Sequence, residues 1–153
     1  MIAVIQRVNS AVVYADGEFS GKTEKGLYIL LGVAKGDERA DATALAEKIS
    51  KLRIFSDENG KMNLSVKDVS GSALVVSNFT LNANYAHGNR PDYLNSASPT
   101  EANALYEFFV DELRARGIEC GTGVFGADMR TEMSTDGPVT IVMDSAILRK
   151  KNI

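Results

Sequence analysis

The chain offers few side chains equipped for strong chemistry, and those it has are weak nucleophiles. Ser77, Asn78 and Thr80 interrupt an otherwise apolar run, Ser72-Ala73-Leu74-Val75-Val76-Ser77-Asn78-Phe79-Thr80-Leu81, and a Gly137-Pro138 step falls between two strand-like stretches. A hydroxyl or an amide does not by itself attack a substrate, whereas backbone N–H groups aimed at a developing negative charge need no activation. Residues of this kind suit catalysis by positioning and backbone dipoles, on a substrate that is already reactive.

Groups that would support other chemistries are sparse. There is no Walker A sequence, no Gly-x-Ser-x-Gly, no His-Glu-x-x-His and no Cys-x-x-Cys. His87, the only histidine, lies in a polar stretch, so one chain cannot assemble a multi-histidine metal site. The sequence therefore predicts neither metal nor cofactor, and His87 reads as a solvated loop residue. Cys120, the only cysteine, follows Ile118 on a strand-like segment with no basic sequence neighbour to lower its pKa, and reads as structural. Thr80 is the natural nucleophile, yet no base stands near it in sequence to take its proton.

The elements that must position these residues follow from periodicity. Ile2, Val4 and Val8 with Gln6, then Ala11 to Ala15 before Asp16-Gly17, predict a strand pair. Leu27 to Val33 is almost continuously apolar, as in a central strand covered on both faces. From Asp37, the spacing of Ala42, Leu45, Ile49 and Leu52 predicts a first helix with Glu47, Lys48 and Lys51 in water. Ser72 to Leu81 predicts another buried strand, followed by a long polar loop from Asn82 to Ser98. Ser98-Pro99-Thr100-Glu101 is a capping box with proline at the first helical position. A second helix over 99–116 follows, burying Ala102, Leu105, Phe109 and Leu113 and stopping at Gly117. A strand through Met133, the turn Thr135-Asp136-Gly137-Pro138 and a closing strand Val139 to Met143 complete the chain. Many strands with two main helices, not alternating one for one, predict an α+β fold with a strongly curved or barrel-like sheet.

Size and charge narrow the partners. With 153 residues and 44% hydrophobic content the chain fits a single domain, 1–153. The 17 Lys+Arg against 20 Asp+Glu give a net charge of -3, which argues against wrapping duplex DNA while leaving a small RNA contact open. The terminal Arg149-Lys150-Lys151 run reads first as a solvating tail and only second as a phosphate contact. One cysteine, no export-type leader and no apolar run approaching ~18 residues predict a cytoplasmic protein with no membrane partner.

Ser77-Asn78-Phe79-Thr80-Leu81 and Thr135-Asp136-Gly137-Pro138-Val139-Thr140 resemble the two signature motifs of the D-aminoacyl-tRNA deacylase family. Val4-Ile5-Gln6-Arg7-Val8, the segment from Leu52 to Asn63, Gly88-Asn89-Arg90-Pro91 and Phe125-Gly126-Ala127-Asp128-Met129 match too, in family order, so the resemblance spans essentially the whole chain. It implies hydrolysis of the ester joining an amino acid to the 3′-terminal adenosine of tRNA, for D-amino acids and for glycine mischarged on tRNA(Ala). It implies a homodimer in which Gly137-Pro138, joined by a cis peptide bond, enters the partner's pocket and excludes L-amino acids. Carried over residue by residue, Asn78, Phe79 and Thr80 supply backbone donors, and Ser77, Phe79, Ala102, Phe125 and Met129 line the adenosine pocket. Arg7 either braces the Gly-Pro backbone or is merely exposed on the strand's other face.

The sequence departs from the family pattern where Asn78 replaces the usual glutamine and Thr135 the usual asparagine. Two other readings therefore stand beside the deacylase: a catalytically silent dimeric module that binds a nucleoside or an RNA 3′ end, and a hydrolase with Thr80 as covalent nucleophile.

Overall fold

A computed structural model of the chain describes residues 1–150, so Lys151 of the basic terminal run lies outside the described residues. Strands β1 (Ile2–Ala15), β2 (Glu18–Thr23) and β3 (Gly26–Gly32) come first, followed by helix α1 (Arg39–Ser50). The short strands β4 (Phe55–Ser56) and β5 (Met62–Leu64) form a separate hairpin, and β6 (Ser72–Ser77) returns to the main sheet. Helix α2 (Pro99–Ala115), strands β7 (Cys120–Thr122) and β8 (Met129–Asp144), and helix α3 (Ser145–Arg149) complete the order.

The main sheet runs β2-β1-β3-β6-β7, with β8 along the other edge of β1. β3, β6 and β7 are parallel, so each step between them is a crossover, carrying α1 in one case and α2 in the other. The two helices pack together on one face of the sheet. Beneath them Ile5, Leu27, Ile29, Leu31, Ala73 and Val75 form the larger core with Leu45, Ile49, Phe109 and Leu113. The opposite face of β3 and β6 curls around a smaller core of Val8, Ala11, Val13, Tyr28, Leu74 and Val76. Curvature brings β2 back against β7. There a Cβ on Gly21 would stand 2.5 Å from the Thr122 carbonyl, and one on Gly121 equally close to that of Lys22, so only glycine lets the backbones meet. The result is the expected α+β fold with a nearly closed, barrel-like sheet.

Several boundaries differ from the sequence reading. Residues 2–15 are one strand, because the register slips around Arg7 and Asn9 bend β1 without ending it. Residues 129–144 are likewise one strand that carries the Gly137-Pro138 step within it. The strand expected through Leu81 stops at Ser77, where the chain turns into a short 3-10 segment, Phe79–Asn82. At α2 only half of the capping box forms, the Glu101 N–H donating to the Ser98 hydroxyl at 3.3 Å. At α1 the other half of such a box forms, the Asp41 carboxylate reaching back to accept from the Glu38 N–H at 2.8 Å. Leu52 lies past the end of α1, and α3 is a helix that the spacing did not announce.

Candidate active site

The strand that carries Ser77 is anchored by its neighbour: β6 pairs with β3 up to Leu31 opposite Ser77, and the Asn78 N–H donates to the Leu31 carbonyl at 2.8 Å. Asn78 then ends the strand. Its side-chain oxygen accepts from the Thr80 N–H at 3.2 Å and from the Thr80 hydroxyl, the N-cap arrangement that favours a helical turn over continued strand. The turn packs on Gly32, where a Cβ would meet that of Leu81 at 2.9 Å. Asn82, buried at the end of the turn, donates to the Val33 carbonyl at 2.9 Å and holds the chain down.

This arrangement decides which backbone donors are available. The N–H groups of Asn78 and Thr80 are taken by Leu31 and by the Asn78 side chain. The Phe79 N–H, at the first position of the turn, has no acceptor among the described residues. Thus of the three donors expected from the sequence, one is free.

Ser77 to Thr80 form one side of a cavity of about 860 Å³. Pro99, Ala102 and Tyr106 of α2 stand on another side, and Phe125 to Met129, leading into β8, on a third. Tyr28, Leu30 and Val76 also contribute, with the Tyr28 hydroxyl 2.9 Å from that of Thr131. The Tyr106 hydroxyl donates to the Val75 carbonyl at 2.7 Å, and its ring tilts against Phe125 with centroids 6.4 Å apart. Burial raises the pKa of both Tyr28 and Tyr106, so both phenols stay neutral donors.

Among the described residues, Asp128 is the only charged side chain lining this cavity. No histidine, lysine or arginine among the described residues lines it, and the Thr80 hydroxyl is committed to Asn78. Among the described residues no group of three or more His, Cys, Asp and Glu side chains is placed to hold a metal ion. Cys120 lies apart from this lining, and burial pushes its pKa up to about 11. Arg114, missed as a neighbour in the sequence, donates to the Cys120 carbonyl at 3.0 Å and lowers that pKa, without matching the effect of burial.

Ser77, Asn78, Phe79, Thr80, Ala102, Phe125 and Met129 thus come together, whereas Arg7, Gly137 and Pro138 form a second feature that does not line the cavity. Opposite Arg7 the β1–β8 ladder jumps from Val8↔Thr135 to Gln6↔Thr140, leaving residues 136–139 as a bulge. The Gly137-Pro138 peptide bond within it is cis, and both residues are exposed. The Arg7 side chain, only 11% exposed, donates to the Asp136 carbonyl at 3.0 Å and pairs with its carboxylate at 3.2 Å. Its other end donates to the Ile54 carbonyl at 2.7 Å. Arg7 thus ties the start of the bulge at Asp136 to the backbone of Ile54.

Sequence reasoning missed Tyr28, Tyr93, Ser96 and Tyr106 as lining residues. A tyrosine on a buried strand or helix reads as core, and no local spacing tells which one has its edge on a cavity.

The family model described as D-Tyr-tRNA(Tyr) deacylase matches residues 4–144. A D-aminoacyl-tRNA deacylase of Geobacter metallireducens is 53% identical over 145 residues, 95% of this chain and 96% of the relative. One of Fervidobacterium nodosum is 51% identical, over 95% of this chain and 97% of its own. Among solved structures, a protein described as c-Myc DNA unwinding element binding protein superposes with a TM-score of 0.87 at 36% identity, covering 94% of this chain and 98% of its own. A probable eukaryotic D-amino acid tRNA deacylase gives 0.80 at 12% identity over the same shares, a likeness of fold alone. With a family match from β1 to the end of β8 and relatives more than half identical along nearly its whole length, the chain belongs to the D-Tyr-tRNA(Tyr) deacylase family.

Proposed function

We propose that the chain hydrolyses the ester between a D-amino acid and the 3′-terminal adenosine of tRNA, releasing the amino acid and the tRNA. The observation that carries this reading is 53% identity, across 95% of the chain, to a protein named D-aminoacyl-tRNA deacylase. The chemistry of the cavity supports it. An aminoacyl ester is already activated, so a held water and one preorganised donor suffice without a covalent nucleophile. Water adds to the ester carbonyl, the oxyanion that forms meets the Phe79 N–H, and the ribose 3′-oxygen leaves with a proton supplied by that water. The 2′-hydroxyl of the same ribose can relay this proton. Ser77, Ala102, Phe125 and Met129 hold the adenosine, with the backbone of Phe79 beside it.

In the same reading the chain acts as a homodimer. The partner subunit's Gly137-Pro138 enters the pocket, its backbone carbonyl meets the substrate α-amino group, and Arg7 and Asp136 keep the bulge in place. A site that tests the α-carbon with backbone rejects L side chains, accepts D ones whatever their type, and admits glycine, including glycine mischarged on tRNA(Ala). A 3′ end needs little basic surface, which fits a net charge of -3.

One observation favours the silent binding module as a second reading: Asn78 occupies the Thr80 N–H and leaves a single free donor. Hydrolysis of D-tyrosyl-tRNA and L-tyrosyl-tRNA, at several enzyme concentrations against a no-enzyme control, separates the two. Loss of the D ester alone is the expected result. If both esters persist while the protein still binds tRNA, the deacylase reading gives way to the module.

A further inference from the structure

We infer that Phe79 and Tyr93 form a stacking platform, at the mouth of the cavity, for the base of the nucleotide 5′ to the acylated adenosine. The inference rests on the proposed reading of the cavity as the seat of an RNA 3′ end. Both rings line the cavity, yet Phe79 is 60% and Tyr93 36% exposed. Their centroids lie 5.0 Å apart with the planes at 78°. An edge-to-face pair satisfies one ring edge and leaves a flat face open, which is the surface a nucleobase stacks on.

The pair is held, not merely exposed. The Ser96 hydroxyl donates to the Phe79 carbonyl at 3.3 Å, and the Ser96 N–H donates to the Tyr93 carbonyl at 3.0 Å. Asp92 accepts from the Leu94 N–H at 3.1 Å, and the backbones of Asn84 and Asp92 bond each other at 2.8 and 3.0 Å. These bonds fix the backbones that carry the two rings, so less chain has to be ordered when a base lands on them. At about 860 Å³ the cavity is near the upper end of the ~300–1,000 Å³ typical of small-ligand sites, so one nucleoside does not exhaust it. The inner walls at Ala102, Phe125 and Met129 take the adenosine, and the aromatic rim is where the strand continues. Stacking is tolerant of base identity, so the platform reads the presence of a base and not its type.

Calorimetric titration of the dinucleotide CpA, and of the same compound lacking the cytosine base, isolates the stacking from the phosphate. The wild-type protein should bind CpA on the order of tenfold more tightly than the abasic analogue. Tyr93→Ala, checked for an unchanged circular dichroism spectrum and melting curve, should cut that gain to within about twofold, and Tyr93→Phe should keep it. Replacing cytosine by uracil or adenine should leave the gain in place. Equal binding of CpA and the abasic analogue by wild type, or a gain that survives Tyr93→Ala, overturns the platform; a second copy of the chain covering the rim gives that same result. Hydrolysis of D-tyrosyl-tRNA, run in parallel, tells the two failures apart. Cleavage with no base-dependent gain removes the platform alone, whereas absence of cleavage and of CpA binding removes the 3′-end reading with it.

Discussion

Thr80 shows how a residue's type and its surroundings give different answers. By type it is the best nucleophile in the cavity; by surroundings its hydroxyl is bound to Asn78, and Asp128, the one charged group among the described residues lining the same space, accepts no hydrogen bond from it. Thr80→Ala keeps the backbone and removes the hydroxyl, so deacylation should fall by less than about tenfold, whereas an essential covalent nucleophile would cost several powers of ten. Single-turnover hydrolysis of D-tyrosyl-tRNA reads the difference. Cys120 makes the complementary case: its thiol, with a pKa raised to about 11, stays protonated at neutral pH. It should react with a disulfide reagent only when the protein is unfolded, and rapid labelling of the native protein would sink that assignment. The sequence made Ser77, Ala102, Phe125 and Met129 legible because they sit in or beside recognisable motifs. The hydrogen bonds that commit Asn78 and Thr80 to each other were not legible, since an asparagine in a strand-like run shows its capping role only once the turn has formed.

Elements were legible where periodicity dominates and illegible where a single contact overrides it. Leu27 to Val33, the stripe of α1 and the start of α2 all follow from spacing and capping. The bulge at 136–139 does not, because its shape depends on Arg7, Ile54 and Asp136, which are remote in sequence. Arg7 is held by two backbone carbonyls and one carboxylate in a mostly buried position. Charge-assisted bonds of this kind are stronger than neutral ones, and lysine cannot reproduce their two-ended geometry. Arg7→Lys should therefore lower stability by about 1–3 kcal/mol, a few degrees in Tm for a chain of this size. If the bulge sets chirality, the same variant should lose discrimination between D- and L-tyrosyl-tRNA more than it loses rate on the D ester. Equal loss on both esters would leave Arg7 a purely structural role.

At the scale of the whole molecule, burial of ionisable groups sets the alkaline limit of stability. Cys120, Tyr28 and Tyr106 all have raised pKa values, with burial the largest cause in each. A raised folded-state pKa leaves stability complete below the unfolded value and erodes it as pH climbs toward the folded one. For Cys120 that window runs from 9.0 to about 11, and the tyrosines act in the same direction. The urea midpoint should hold steady from neutrality to about pH 9 and then fall; a flat profile through pH 11 would contradict the burial of these groups.

The outer face of the β1–β8 pair carries the last consequence. Val4 lies between Leu30 and Val142 across the ladders, and Val142, on β8 at the edge of the sheet, is 69% exposed where a lone chain would favour polar residues. Two residues along, Gln6 pairs with Thr140, and the next step is the bulge that holds Gly137-Pro138. An apolar row that ends at this bulge suits a two-fold contact, because the contact that buries the row also carries each bulge toward the other subunit. Sedimentation should therefore give twice the 16.5 kDa of one chain. Val142→Lys places a charge in that row, and should yield a folded monomer with little activity on D-tyrosyl-tRNA, its circular dichroism spectrum unchanged. A wild-type monomer of full activity would mean that one chain completes the site alone, and the role given to Gly137-Pro138 would fall with the dimer.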